Sequence, residues 1–168
     1  MDLTTIIRLC LHNDRDAQRE LYDSYKDSLY TIAYRLTNDT DEASDLLQEA
    51  FIDAFKNLAK LKEPKYFHSW IKQILVRKAY YSRKHRKESL DLESVKLKYT
   101  DSFDVEYIEQ AIQTLPLKSR TVFLMYEVEG FSHAEIAETM DITVGTSKSQ
   151  LNFAKTKLKI QLQSYLQE

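Results

Sequence analysis

Six side chains between Thr146 and Lys155 have the chemistry to address a nucleic acid. Thr146, Lys148, Ser149, Gln150, Asn152 and Lys155 lie opposite Leu151, Ala154, Leu158 and Leu162, which repeat at helical spacing and mark a buried side. Gln and Asn can pair bidentately with adenine, while Lys and Ser reach phosphates or base edges. A recognition helix in a major groove needs that mixture at its N-terminal end. Thr143 is placed to cap this helix, with Val144 in its first turn. Upstream, Ser132 followed three residues later by Glu135 predicts a capping box, and Ile136, Ala137 and Met140 face inward from the helix it starts. Between the two, Asp141 stands where the turn needs a left-handed residue, a conformation Gly adopts more easily. The same helix-turn-helix shape also occurs in plain helical bundles.

A second group with nucleic-acid chemistry lies at 62–87, where nine Lys or Arg stand against one Asp or Glu. Tyr66, Phe67, Trp70, Tyr80 and Tyr81 are interleaved with those cations. Positive charge tracks a phosphate backbone, and exposed rings can stack on unpaired bases. Phe67 and Trp70 fall on the apolar face and read as core. Tyr80 and Tyr81 beside the basic run are the candidate stacking rings. No long hydrophobic face continues past Ala79, which disfavours a membrane-surface helix.

The elements that must carry these groups are helical. The chain has 168 residues with only two Gly and two Pro, which leaves little material for hairpins or glycine-rich phosphate loops. A short helix is expected at Thr4–Leu11. Asp14 caps a second, with Leu21, Tyr25, Leu29, Ile32, Ala33 and Leu36 on one face. Residues 38–41 (NDTD) read as a turn and N-cap. A third helix runs to about Leu58 on the stripe Ala43, Leu46, Leu47, Ala50, Phe51, Ala54 and Phe55. Pro64 interrupts the chain before a fourth helix that turns Phe67, Trp70, Ile71, Ile74 and Leu75 inward. Residues 88–103 have no sustained face and read as a linker. Helices resume near Val105 with Ile108, Ala111, Ile112 and Leu115 on one side, and another covers Arg120 to Tyr126. The expectation is an all-α chain of two small helical domains, 1–87 and 104–168, joined by the linker.

The net charge of −2 conceals segregation: −5 over 1–61, +8 over 62–87, −8 over 88–142 and +3 over 143–168. Exposed charges more than about 10 Å apart are screened at 0.1 M salt, so local charge decides where phosphates bind. Enzyme chemistry finds no support: there is no glycine-rich loop, nucleophile motif or useful His–carboxylate spacing. His12, His68, His85 and His133 lack metal-ligand spacing, and neither metal nor cofactor is expected. The single Cys10 excludes an internal disulfide. No apolar run approaches about 18 residues and no signal-like start is present, so a cytoplasmic protein without membrane insertion is expected.

The two halves together resemble the extracytoplasmic-function sigma factors, the compact branch of the sigma-70 family of bacterial transcription initiation factors. DEASDLLQEAFIDAF (41–55) is similar to that family's polymerase-binding motif, FHSWIKQIL (67–75) to its Phe-x-x-Trp-Leu-x-x-Ile pattern, and 115–151 to its C-terminal module. The resemblance implies that the polar face bearing Asp41, Asp45, Gln48, Glu49 and Asp53 docks on the β′ clamp helices of core RNA polymerase. It implies that Lys62, Lys65, Tyr66, Arg77, Tyr80, Tyr81 and Lys84 bind and help open the −10 element. The second domain would sit on the β flap, with Ser132, Thr146, Lys148, Ser149, Gln150, Asn152 and Lys155 at the −35 element. It also implies an anti-sigma partner. Several positions depart from the family pattern. Ser147 stands where an aliphatic residue usually faces the core, Gln150 and Phe153 where arginines are common, and Lys155 at another basic position. Arg77 replaces a usual Asn, Tyr81 a usual Asp, and Asp141 the turn Gly. About 16 linker residues at roughly 3.3 Å each reach about 50 Å. That spans roughly 15 base pairs, as a reader of two separated elements requires. An autonomous helix-turn-helix regulator would explain 130–155 but leave the acidic face and the basic helix without a role.

Overall fold

The computed structural model describes residues 1–87 and 105–167; the expected linker lies outside them. Every regular element among the described residues is helical: α1 (Leu3–Leu11), α2 (Arg15–Thr37), α3 (Thr40–Asn57), α4 (Phe67–Lys87), α5 (Val105–Gln113), α6 (Leu117–Phe123), α7 (His133–Met140) and α8 (Val144–Leu166). Short 3₁₀ turns at Leu58–Lys60 and Pro64–Tyr66 lead from α3 into α4, and a π-helical turn at Leu124–Val128 follows α6. The chain divides into two compact units, Met1–Ala79 and Tyr80–Glu168, so the division falls inside α4.

Local chemistry sets the helix ends of the first unit. The Asp14 carboxylate accepts from the Ala17 amide at 2.9 Å, and Asp39 does the same for Glu42 at 2.9 Å. Asn38 ends α2 in the left-handed region at φ 54°, a conformation its short polar side chain tolerates. Only two residues separate α2 from α3, so the helices return as an antiparallel hairpin. Ala17, Ala33, Ala43, Ala50 and Ala54 are fully buried and let the backbones approach closely. Leu21, Leu29, Leu36, Phe67, Ile71 and Leu75 fill the space between them. Tyr25, expected in the core, is half-buried; its ring packs on Phe67 at 5.4 Å and His68 at 4.8 Å. Phe55, Trp70 and Ile74 are likewise half-buried, at the margin of the apolar stripe. Val76 is buried in addition.

In the second unit α8 is the element on which α5, α6 and α7 pack. The inward residue of α5 is Tyr107 rather than the expected Ile108, which is 42% exposed. The Tyr107 ring packs at a tilt on Tyr165, with centroids 4.1 Å and planes 31° apart, and its hydroxyl donates to the Gln161 carbonyl at 3.1 Å. One rotation of the helix face accommodates a ring with a polar tip in place of a β-branched aliphatic. α6 begins three residues earlier than expected, with Leu117, Ser119, Arg120, Thr121 and Val122 all buried. The Arg120 guanidinium donates to the Gln113 carbonyl at 3.1 Å and to its Oε1 at 3.0 Å. Burial lowers its pKa to about 10, so it stays charged at neutral pH. Leu162, expected on the buried side of α8, is only half-buried.

Candidate nucleic-acid interface and docking face

The acidic face is built by α3. With apolar residues at 43, 46, 47, 50, 51 and 54 turned inward, helical periodicity leaves Asp41, Asp45, Gln48 and Glu49 exposed along the opposite side. Asp53 is partly covered because the Lys78 ammonium of α4 reaches it at 2.8 Å and Glu49 at 3.4 Å. The hydrogen bond with Asp53 holds the Lys78 ammonium above its ordinary range. Ile52, 50% exposed, lies on the same stripe, four residues past Gln48 and three past Glu49. Sequence reasoning passed over it, yet an isoleucine out of phase with the apolar stripe was a visible signal.

The basic segment presents a more selective set of groups than expected. Lys62, Arg77 and Lys84 are exposed, and Lys62 and Lys84 make no ion pair among the described residues. Tyr66 is 50% exposed. Lys65 pairs with Glu63 at 2.8 Å and lies 4.9 Å over the Tyr66 ring, which raises its pKa, chiefly through the Glu63 hydrogen bond. Tyr80 is more covered than a stacking ring was expected to be: it is 5% exposed and meets Tyr81 edge-on at 5.4 Å. Helical phase turns position 80 inward beside Val76 and Ala79. Tyr81 is half-buried.

The helix-turn-helix matches its local signals closely. The Ser132 hydroxyl accepts from the Glu135 amide at 3.2 Å, and Glu135 accepts from the Ser132 amide at 2.8 Å. Ser132 is thereby committed to the cap, although its surface is exposed. Asp141 takes φ 53°, and the Ile142 amide donates to the Ala137 carbonyl at 3.0 Å. Thr143 caps α8 by accepting from the Thr146 amide at 3.0 Å, and its hydroxyl donates to that of Thr146 at 2.9 Å. Lys148, Ser149 and Asn152 are exposed in the first turns, whereas Thr146 and Gln150 are half-buried. Lys155 differs from expectation, since Glu127 pairs with it at 2.9 Å and offsets its charge. Phe153 is 48% exposed with the Lys157 ammonium 6.0 Å from its ring centroid. Ser147, the departure at a core position, is fully buried and lies 2.8 Å from His133 Nδ1.

Among the described residues no cluster of His, Cys, Asp or Glu could hold a metal ion, and no helix is long and apolar enough to cross a membrane. The arrangement supplies exposed cations, amides and hydroxyls for binding, and a separate acidic face.

Two family models match the chain in order: sigma-70 region 2 over residues 21–88 and sigma-70 region 4 over 105–158. The extracytoplasmic-function (ECF) sigma factor SigW of Bacillus subtilis is 28% identical over 174 aligned positions, covering 89% of this chain and 90% of SigW. EcfG of Rhodopseudomonas palustris, also an ECF sigma factor, is 30% identical, with 78% and 77% covered. In fold, the chain is similar to the sigma factor RpoE of Bartonella quintana, solved with the anti-sigma factor NepR. That match has a TM-score of 0.68 and 23% identity, and covers 89% of this chain and 98% of RpoE. CnrH, solved with the cytosolic domain of CnrY, matches with a TM-score of 0.65 at 19% identity, covering 97% and 99%. With both sigma modules present in the family's order and relatives matched along most of their length, the chain belongs to the extracytoplasmic-function branch of the sigma-70 family, the non-enzymatic factors that direct RNA polymerase to promoters.

Proposed function

We propose that residues 1–87 form the polymerase-docking and −10-binding domain, 88–103 the linker, and 104–168 the domain that meets the β flap and the −35 element. In this reading the α3 stripe of Asp41, Asp45, Gln48 and Glu49 docks on the β′ clamp helices, with Ile52 as its apolar centre and Asp53 at its edge. Lys62, Lys65, Tyr66, Arg77, Tyr81 and Lys84 serve the −10 element, and Thr146, Lys148, Ser149, Gln150, Asn152 and Lys155 the −35 element. The carrying observation is the α3 face, where polar and acidic groups flank one exposed isoleucine. Interfaces gain most from apolar anchors that become desolvated within a polar rim. The fold shared with RpoE and CnrH, each solved in complex with a partner, supports an anti-sigma partner for this chain as well. A factor that works alongside polymerase would act in the cytoplasm.

The test is core-polymerase binding and promoter-dependent transcription for the wild type and for Asp45→Lys/Glu49→Lys. Tight binding by the wild type and loss of both signals in a double variant that stays folded is the expected result. A double variant that still binds polymerase removes the α3 face from the interface. A wild type that ignored polymerase and bound duplex DNA alone would point to an autonomous regulator.

A further inference from the structure

The buried side of α8 carries one polar residue in an otherwise apolar row of Leu151, Ala154 and Leu158. Ser147 is fully buried, and its hydroxyl meets His133 Nδ1 at 2.8 Å, joining α8 to the first turn of α7. The His133 ring lies flat on Tyr126, with centroids 4.4 Å apart and planes 19° apart. The next residue, Glu127, takes the Lys155 ammonium at 2.9 Å. Tyr126 and Glu127 both belong to the π-helical turn Leu124–Val128, closed by the Glu129 amide on the Leu124 carbonyl at 3.0 Å. Such turns are rare and concentrate at functional sites. Of two consecutive side chains in one π turn, Glu127 thus holds α8 directly at position 155, and Tyr126 backs the His133 ring that holds it at position 147.

We infer that the Tyr126–His133–Ser147 chain is a positioning device that sets the rotation of α8 about its own axis, and through it the −35 sequence this sigma factor prefers. The inference rests on α8 being the −35 reader. An aliphatic residue at 147 would fill the space without direction, whereas a hydrogen bond of this length constrains both distance and angle. Side-chain tips on a helix lie about 5–6 Å from its axis, so a rotation of roughly 20° moves them by about 2 Å. That displacement separates a hydrogen bond to a base edge from none. Lys148, Ser149 and Asn152, exposed on the far side of α8, would feel it directly. His133 and Ser147 touch no base themselves. They act through the orientation of the side chains that do.

The test compares holoenzymes assembled from core RNA polymerase and the full chain, each selecting promoters from a library randomised across the −35 element. The variants are Ser147→Ala, His133→Phe, which keeps a ring on Tyr126 but drops the hydrogen bond, their double variant, and Ser147→Thr, which keeps the hydroxyl. Ser147→Ala and His133→Phe are expected to lower the preference for the best over single-mismatch sequences about five-fold or more. The double variant should be no worse than either single change, as coupled residues require, Ser147→Thr should restore the preference, and affinity for core polymerase should not move. Should Ser147→Ala fail to fold, His133→Phe carries the comparison. If the wild type enriches a −35 sequence and both single variants enrich it equally, or lose binding to all sequences in proportion, the contact is packing only and the inference is overturned. A wild type that enriches no −35 sequence overturns the reading of α8 as well.

Discussion

The two glycines differ in what the fold asks of them. Gly130 has φ +75°, and a Cβ added there would meet nothing within 4 Å, so its need is conformational. Gly145 lies in the first turn of α8 at an ordinary backbone angle, and an added Cβ would meet only Thr143 Oγ1 at 3.8 Å. Nothing in the fold requires glycine at 145, and alanine is favoured over it in a helix by roughly 0.5–1 kcal/mol. If the bare backbone there serves close approach to DNA, Gly145→Ala should raise stability by up to about 0.5 kcal/mol in denaturant unfolding while weakening −35 binding. Unimpaired binding would remove that explanation. Two of the four lysines of α8, Lys148 and Lys155, separate in the same way. Lys148 makes no ion pair among the described residues, whereas Lys155 faces Glu127 at 2.9 Å. Each phosphate contact contributes about 0.9 to the salt slope of DNA binding. Lys148→Ala should therefore reduce the slope by about one unit and Lys155→Ala by less; equal reductions would show that Glu127 releases Lys155 on binding. The Glu127 pairing was not legible in the sequence, because it depends on which neighbours a helix face meets and residue type alone does not carry that information. The inward turn of Tyr80 follows from its i, i+4 phase with Val76, a signal outweighed in the reading by the adjoining basic run.

The helices themselves were legible wherever their signals are local. Asp14, Asp39, Ser132 and Thr143 each cap a helix as their types and spacing required, because a cap is decided within about four residues. The stripe of α3 was equally plain, since its period survives intact for four turns. The start of α6 and the π turn behind it were missed. Pro116 marked a boundary, but the π turn has no propensity signature; it is imposed by the Phe131 and Glu129 amides returning to the Met125 and Leu124 carbonyls. The exchange of Ile108 for Tyr107 likewise came from a tertiary hydrogen bond at the far end of α8. Energies at this scale follow from the same distinction. Phe51 is 3% exposed and packs on Tyr22 at 4.7 Å, so Phe51→Ala should cost about 3–5 kcal/mol. Asp39→Ala removes one cap and should cost about 1 kcal/mol. Chemical denaturation of the two variants should preserve that order. A cap change costing as much as the core change would mean that the α2–α3 turn, rather than the hairpin's interior, limits the first unit.

For the molecule as a whole, what mattered was the order of its charged blocks and motifs, and this was readable from the residues alone. Two basic segments of +8 and +3 alternate with acidic ones of −5 and −8. Contacts of a basic segment to duplex phosphates are weak at physiological salt, so either segment alone is expected to bind promoter DNA weakly. Two weak contacts become a strong one when the second is made intramolecularly, which raises avidity by roughly 10²–10⁴ provided the geometry allows both at once. Core polymerase fits the part of the agent that fixes that geometry. The free chain should therefore bind promoter duplex weakly and show little dependence on the distance between the two elements. The holoenzyme should depend on it steeply. Inserting five base pairs between the elements turns one about half a helical turn away from the other, and transcription should fall by about 100-fold, the lower end of that avidity range, with the free chain's affinity unchanged. If the insertion leaves transcription intact, one domain alone carries recognition, and the division of labour between region 2 and region 4 in this chain has to be redrawn.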